Sequence, residues 1–484
     1  MKRPAHLNMN KVIATLLSLL LAGSAASCTG NSDTTGVIAS GDSSDTIITA
    51  ASMQSEASES AEASFDALPE DIISPATDVT DEDSTPIVIY SWNNDFKVLL
   101  DTYYVAAHPD FQYVYKVFDR NIYQSKLDQV LAEEDGAPDI FLLDEDIAPQ
   151  YVSSQTSMNI NELGISNTEL SDQFAYTYSY AKSEQGSIHA LCLLPSPSGV
   201  FYNRTLARTY LGSDDPAFVA KSFSSWDAFT EMAAKISADS QGTVKAVSGV
   251  DDIWRSLLNN RSEPWVMDNK VTVDPGMEKV FEYVKKFQAG SLTHKTSQLS
   301  DEWEAGMANS SVLSYWGPMR LVDTFMNFGF EEDGMTILAG ANPTTGDWAF
   351  CPAPVPFFWG DTWITASKYN NNKATTADIM RFFTVNPNTM GKMADDGMFV
   401  NSISVMSSAS WDTSAISAYL GGQSPLPQLL KEAAKMDVSM ITDRDKAINS
   451  VFISAVNAYA SGRFTSLSSA KLAFITDCED AGFV

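Results

Sequence analysis

Residues 87–90 form a short apolar, β-branched run, the pattern of a strand buried on both faces. The run stops abruptly in Trp92, Asn93, Asn94 and Asp95, after which Phe96, Leu99, Leu100, Tyr103, Tyr104 and Ala107 recur at helical spacing. Residues 113–118 predict a second strand, and Leu127, Val130 and Leu131 mark the helix behind it. A third apolar run, 139–143, ends in Asp144, Glu145 and Asp146. The order strand, helix, strand, helix, strand predicts a parallel α/β sheet. Two of its strand ends carry polar clusters at one edge, where open α/β sheets place ligands. The plainer alternative is that Trp92 packs over the sheet edge while residues 93–95 cap the helix and Asp146 starts another.

Two short apolar runs within 186–203 flank Pro195, Pro197 and Gly199, a place for the chain to leave one domain and enter another. Ser225 opens a capped helix with Trp226, Phe229, Ala233 and Ile236 on one face. Asp274 and Pro275 open the next, whose buried stripe is Met277, Val280, Phe281, Val284 and Phe287. The run 312–316 precedes Gly317 and Pro318, and 347–365 is dense in aromatics, proline and glycine. Leu426, Leu429, Leu430 and Ala433, then Ile448, Phe452, Ala455 and Tyr459, predict helices in the tail. No period of the solenoid kind recurs.

The beginning of the chain follows other rules. Lys2, Arg3 and Lys11 precede the apolar run 12–22 and small residues follow to Ser27, so residues 1–27 read as a signal peptide. Cys28 then stands after Ala25, Ala26 and Ser27, which resembles a bacterial lipoprotein cleavage site whose cysteine is lipidated, although Ala25 stands where leucine is usual. Acyl chains contribute about 0.8 kcal/mol per buried CH₂, enough for several to hold a protein at a membrane. No Lys or Arg occurs between Val12 and Phe96, and 28–85 is acidic and rich in Ser and Thr. That stretch reads as a disordered tether lifting a domain off the membrane.

The formal charge of −30 argues against nucleic acid as a partner, because phosphate binding needs clustered cations. Besides Cys28 the chain has Cys192, Cys351 and Cys478, so no disulfide framework is specified. No metal-ligand pair, phosphate-binding glycine loop or nucleophile elbow occurs, and no cofactor is implied.

The order of the pieces resembles the extracellular solute-binding proteins of bacterial carbohydrate ABC importers, the family that includes maltose-binding protein. The residues that carry the resemblance are Ala137-Pro-Asp-Ile-Phe, 186–191 leading to Tyr202-Asn203, and 226–236. Further on come Glu304-Ala-Gly-Met-Ala before Tyr315-Trp-Gly-Pro, then Gly360-Asp-Thr-Trp-Ile-Thr and the late helix 445–462. The resemblance implies an α/β, two-lobed, periplasmic-binding-protein-like fold. Each lobe would be a mainly parallel sheet flanked by helices, hinged around a central cleft. Lobe 1 would be 86–198 plus 359–384, and lobe 2 would be 199–358 plus 385–484. It also implies a carbohydrate ligand, an oligosaccharide, closed in the cleft and handed to the permease of an ABC importer. The protein would be exported, lipid-anchored to the outer face of the bacterial cytoplasmic membrane, and not an enzyme. Leu143-Asp144 and Met319-Arg320 stand where maltose-binding protein has aromatics, so the particular sugar does not carry over.

A sugar offers hydroxyls around its rim and C–H faces above and below, so its site needs planar aromatics and planar polar groups. Of the ten tryptophans, Trp92, Trp254, Trp316, Trp359 and Trp363 are the candidate stacking residues, Trp92 and Trp363 foremost. Asn93, Asn94, Asp95, Asp144, Glu145, Arg255, Arg320 and Asp361 are the candidate hydrogen-bonding residues. Two other readings remain: the same fold with a non-sugar solute, and a surface carbohydrate-active enzyme, since glycosidases need only two carboxylates placed by the fold.

Overall fold

A computed structural model describes residues 47–49, 81, 86–322, 328–330, 337–339, 344–410 and 418–484. The signal peptide, Cys28 and most of the expected tether lie outside the described residues. Among the described residues no helix is long and apolar enough to cross a membrane.

In chain order the strands are β1 (Ile47–Thr49), β2 (Ile87–Ser91), β3 (Gln112–Val117), β4 (Ile140–Asp144), β5 (Leu191–Leu194) and β6 (Pro197–Asn203). They continue with β7 (Val266–Met267), β8 (Lys270–Val271), β9 (Ser314–Pro318), β10 (Phe328–Phe330) and β11 (Ile337–Ala339). The last three are β12 (Trp348–Cys351), β13 (Phe357–Phe358) and β14 (Thr362–Ala366).

The first sheet has the order β1-β3-β2-β4-β14-β5. β2 lies between β3 and β4 and runs parallel to both, as the apolar runs predict. β14 is antiparallel to β4 and β5, pairing Thr362 with Asp144 and Trp363 with Leu143. This direction matters for the site. β2 and β4 leave the sheet at the edge where β14 enters it, so the residues after β2, after β4 and before β14 converge there.

The second sheet is built on β6, which is buried along its length. β12 and β13 flank one side of it and β9 the other, all antiparallel. Among the described residues of this lobe parallel pairing survives only as single bridges, Lys245 with Val312 and Val247 with Thr293. The expectation of a mainly parallel second sheet is thus corrected: hydrophobic runs reveal that a strand is buried but not which way its neighbours run. The helices Trp226–Asp239, Pro275–Ala289, Asp445–Ala460 and Leu467–Asp480 pack Phe229, Phe281, Phe452 and Phe474 into this sheet's core.

The chain passes between the sheets from β5 to β6 and again from β13 to β14. The lobe boundary expected after Thr384 is also corrected. The helices Pro387–Asp395 and Ile403–Ser408 bury Met390, Met393 and Met406 in the first core. Between them Phe399 stacks on Phe174 at 5.3 Å, and Asn401 Nδ2 donates to the Cys192 carbonyl at 3.2 Å. The helix Leu426–Lys435 lies across the junction: Leu429 belongs to the first core, while Gln423, just before the helix, pairs with both backbone groups of Phe350 in β12. An amphipathic stripe fixes that a helix is buried, not against which sheet.

The expected tether is not free everywhere. Ile47–Thr49 pairs antiparallel along the edge strand β3, and the Asp81 carboxylate accepts from Ala374 N at 2.8 Å and from Thr375.

Candidate functional site

The polar residues after β2 build a rigid turn before they offer anything to a ligand. Asn93 Oδ1 accepts from Asp95 N, and Asn93 Nδ2 donates to Asp95 Oδ2, both at 3.0 Å. Tyr115 Oη donates to the Asn93 carbonyl at 3.1 Å. Trp92, ahead of this turn, rests on Tyr123 at 5.5 Å with the Arg120 guanidinium over its ring. Asn94 is exposed, and its side chain caps nothing.

At the end of β4, Asp144 does two things. Its Oδ1 accepts from Asp146 N and Ile147 N, and its Oδ2 pairs with Arg120 at 2.6 Å. Glu145 accepts from Gly360 N at 2.9 Å and faces Arg255 of the second lobe at 3.8 Å. The Arg255 guanidinium in turn covers Trp359, 4.4 Å from the ring centre. Arg320 donates from Nη2 to Ser196 Oγ at 3.0 Å and to the Gly360 carbonyl. One guanidinium therefore touches the β5–β6 and the β13–β14 crossing. Asp361, fully buried, ties the crossings as well, accepting from Ser196 N at 2.5 Å and from Tyr176 Oη at 2.9 Å.

Burial dominates the electrostatics. It pushes Asp95 up to about 7 against the pull of Arg320 and Asn93. Glu145 is likewise raised to about 7, by burial and then Asp146, against Arg255. Asp144 is raised by burial despite Arg120, and Asp361 is raised strongly, first by burial and then by Glu145. Burial lowers Arg255 and Arg320.

Of the expected residues, the structure brings together Trp92, Asn93, Asp95, Asp144, Glu145, Arg255, Arg320, Trp359 and Asp361 around two adjoining cavities. Each cavity is only ≈10 Å³, room for one water. The lobes are closed on one another.

Four expectations are corrected. Trp363 stacks on Tyr180 at 4.8 Å and is fully buried under the helix Ala175–Tyr180. Side chains alternate along a strand, so the polar residues beside it face elsewhere. Trp316 stacks on Trp226 at 5.6 Å inside the second core. Trp254 is buried in that core too, although its neighbour Arg255 reaches the cleft. Asn94 points away from the cavities that its neighbours line.

Arg120 was missed, yet it lines the first cavity beside Trp92 and Asp144. Its signal was available: β3 ends at Val117, so Arg120 follows a third strand end at the edge already marked by the other two. Among the described residues no cluster of His, Cys, Asp and Glu has the arrangement of a metal site.

No curated protein matches this sequence. Solved structures match in fold. A crystal structure of an extracellular solute-binding protein of family 1 is 17% identical, with a TM-score of 0.69 over 82% of this chain and 100% of that one. An ABC-transporter-associated binding protein from B. animalis subsp. lactis Bl-04, in complex with beta-1,6-galactobiose, is 19% identical, with a TM-score of 0.60 over 82% and 97%. The sugar-binding protein MalE from Xanthomonas citri is 14% identical, with a TM-score of 0.65 over 82% and 97%. At these identities the likeness is one of fold, a two-lobed binding protein. The model of the bacterial extracellular solute-binding proteins matches residues 101–417, and the chain belongs to that family.

Proposed function

We propose that the protein is a receptor that captures a sugar or oligosaccharide outside the cytoplasmic membrane and delivers it to an ABC importer. The observation that carries this reading is the meeting of Trp92, Trp359, Glu145, Arg255 and Arg320, drawn from both lobes, in a cleft bordered by the β5–β6 and β13–β14 crossings. Flat rings serve the C–H faces of a sugar, and carboxylate–guanidinium pairs serve its hydroxyls. The structural neighbours include proteins in complex with beta-1,6-galactobiose and with lacto-N-biose, which supports a sugar as ligand.

Binding then follows from the geometry. The crossings at residues 194–197 and 358–362 open the cleft, and the ligand favours closure because only the closed form lets both lobes touch it. The Arg120 and Arg255 guanidiniums lie over the rings of Trp92 and Trp359, so a sugar that stacks on those faces displaces a guanidinium. A micromolar Kd corresponds to about −8 kcal/mol. Two stacked rings and a few buried hydrogen bonds supply that. No covalent step is needed. Cys28 would carry lipid and residues 29–85 would tether lobe 1 to the membrane.

A thermal-shift screen against mono- and oligosaccharides, followed by calorimetry and product analysis, tests the reading. The expected result is a raised Tm and saturable binding without turnover, since a ligand that binds only the native state stabilises it. Released product, or no response to any sugar, overturns it.

A further inference from the structure

Residues lining the second cavity carry an unspent set of hydrogen-bonding atoms. Trp92 Nε1, Arg320 Nε and Asp95 Oδ1 are each buried without a partner among the described residues, and all three side chains line this cavity. Each is fixed by its other contacts. Asp95 is held through Oδ2 by Asn93, Arg320 through Nη2 by Ser196 and Gly360, and Trp92 by packing on Tyr123. Trp226 Nε1 and Trp363 Nε1 also lack partners, but those rings line neither cavity.

Two donors and one acceptor are left over, which is the complement of a single hydroxyl: two lone pairs to accept and one proton to give. A carboxylate or phosphate would leave Asp95 opposed to a like charge, and an ammonium would face two donors. Ser91, Asn93 and Thr362 also line the cavity, and the remainder of the wall, Phe96, Leu99, Leu142, Leu193 and Leu194, is apolar and suits a methylene carrying that hydroxyl. The cavity has room for one oxygen, and it shares Trp92, Arg320 and Thr362 with the cleft cavity in front of it. On a hexose ring the group that projects one carbon beyond the ring hydroxyls is the exocyclic hydroxymethyl.

We propose that Trp92 Nε1, Arg320 Nε and Asp95 Oδ1 form a subsite that receives one exocyclic hydroxymethyl group of the bound sugar. This rests on the sugar-binding reading and adds which sugars fit: hexose units with a free primary hydroxyl, in preference to pentoses and 6-deoxy sugars. Leaving buried donors without a partner is costly, so an analogue lacking the hydroxyl is rejected.

The experiment uses the tightest-binding disaccharide of a hexose and pentose panel together with its 6-deoxy and 6′-deoxy derivatives, titrated by calorimetry. One derivative is expected to bind at least about tenfold more weakly than the parent, the other nearly as well, because one hydroxymethyl enters the subsite. In Trp92→Phe, which keeps a ring but loses the Nε1 donor, that gap is expected to shrink; Asp95→Asn provides a second variant should Trp92→Phe not fold. Equal binding of parent and both derivatives overturns the inference and leaves receptor function standing, with the cavity housing a structural water only. A pentose disaccharide as the tightest ligand overturns it likewise, as does a gap unchanged in the folded variants. Absence of binding to every sugar overturns the inference and the receptor reading together.

Discussion

Arg255 reaches Glu145 across the cleft and stands over the Trp359 ring, so one side chain holds an ion pair and a ring face at once. Arg120 does the same within the first lobe, between Asp144 and Trp92. Truncating Trp359 removes a stacking face from a cleft residue. Trp359→Ala is expected to weaken sugar binding by tenfold or more, about 1.4 kcal/mol, as calorimetry would show. Trp363 is the contrasting case. Its ring fills the first core against Tyr180 and Phe358, so Trp363→Ala is expected to cost about 3–5 kcal/mol in a denaturant melt. A Trp363→Ala variant as stable as the parent would contradict its placement in the core.

Individual elements gain their roles from what stands at their ends. The helix Lys373–Thr384 begins at Asn372, whose side chain makes no capping bond. Asp81 supplies that bond instead, from a residue far earlier in the chain, accepting from Ala374 N, Thr375 N and Thr375 Oγ1. A carboxylate there also meets the positive end of the helix. Asp81→Ala is therefore expected to destabilise the chain by about 1 kcal/mol, the usual loss for a missing N-cap, without altering sugar affinity. An unchanged Tm would show that the contact contributes nothing. β14 is the other telling element. Because it runs against β4, Gly360 and Asp361 arrive beside Asp144 and Glu145 instead of at the opposite edge of the sheet.

At the scale of the molecule, folding buries carboxylates in both lobes. Asp95, Glu145, Asp252 and Glu304 are each raised to about 7, above ordinary values of 3.8 and 4.5, with burial as the leading cause in every case. The folded chain then binds protons more tightly than the unfolded chain between those limits. Their contribution to stability is complete below about pH 4 and is lost as pH rises through about 7. Glu169 and Asp437 act oppositely. Burial raises Glu169 less than Arg381 and Ser166 lower it, and hydrogen bonds from Ser439 lower Asp437. Their contribution is lost only as pH falls below the ordinary carboxylate range. The ligand-free protein is therefore expected to melt higher at pH 5 than at pH 8, by calorimetric scanning. A Tm that rises over that interval would contradict the burial of this group of acids.

The sequence by itself determined the first sheet's parallel strands, the helices between them and the polar strand ends. These are local patterns: period, apolar runs and caps. Through the resemblance of ordered motifs it also gave the two-lobed family fold. Trp92, Asp95, Asp144 and Glu145 stand at the edge that the sequence marks, because a residue just past a buried parallel strand has no choice but to stand at the sheet edge. Only the tertiary structure decided which face of β14 carries Trp363, that Trp316 is sealed beneath Trp226, and that residues 385–410 cover the first sheet. It alone decided the antiparallel second sheet and the guanidinium over Trp359. The physical reason is common to all of these. Burial and alternation are written in neighbouring residues, whereas the partner that buries a face comes from distant chain and is chosen by packing the whole molecule.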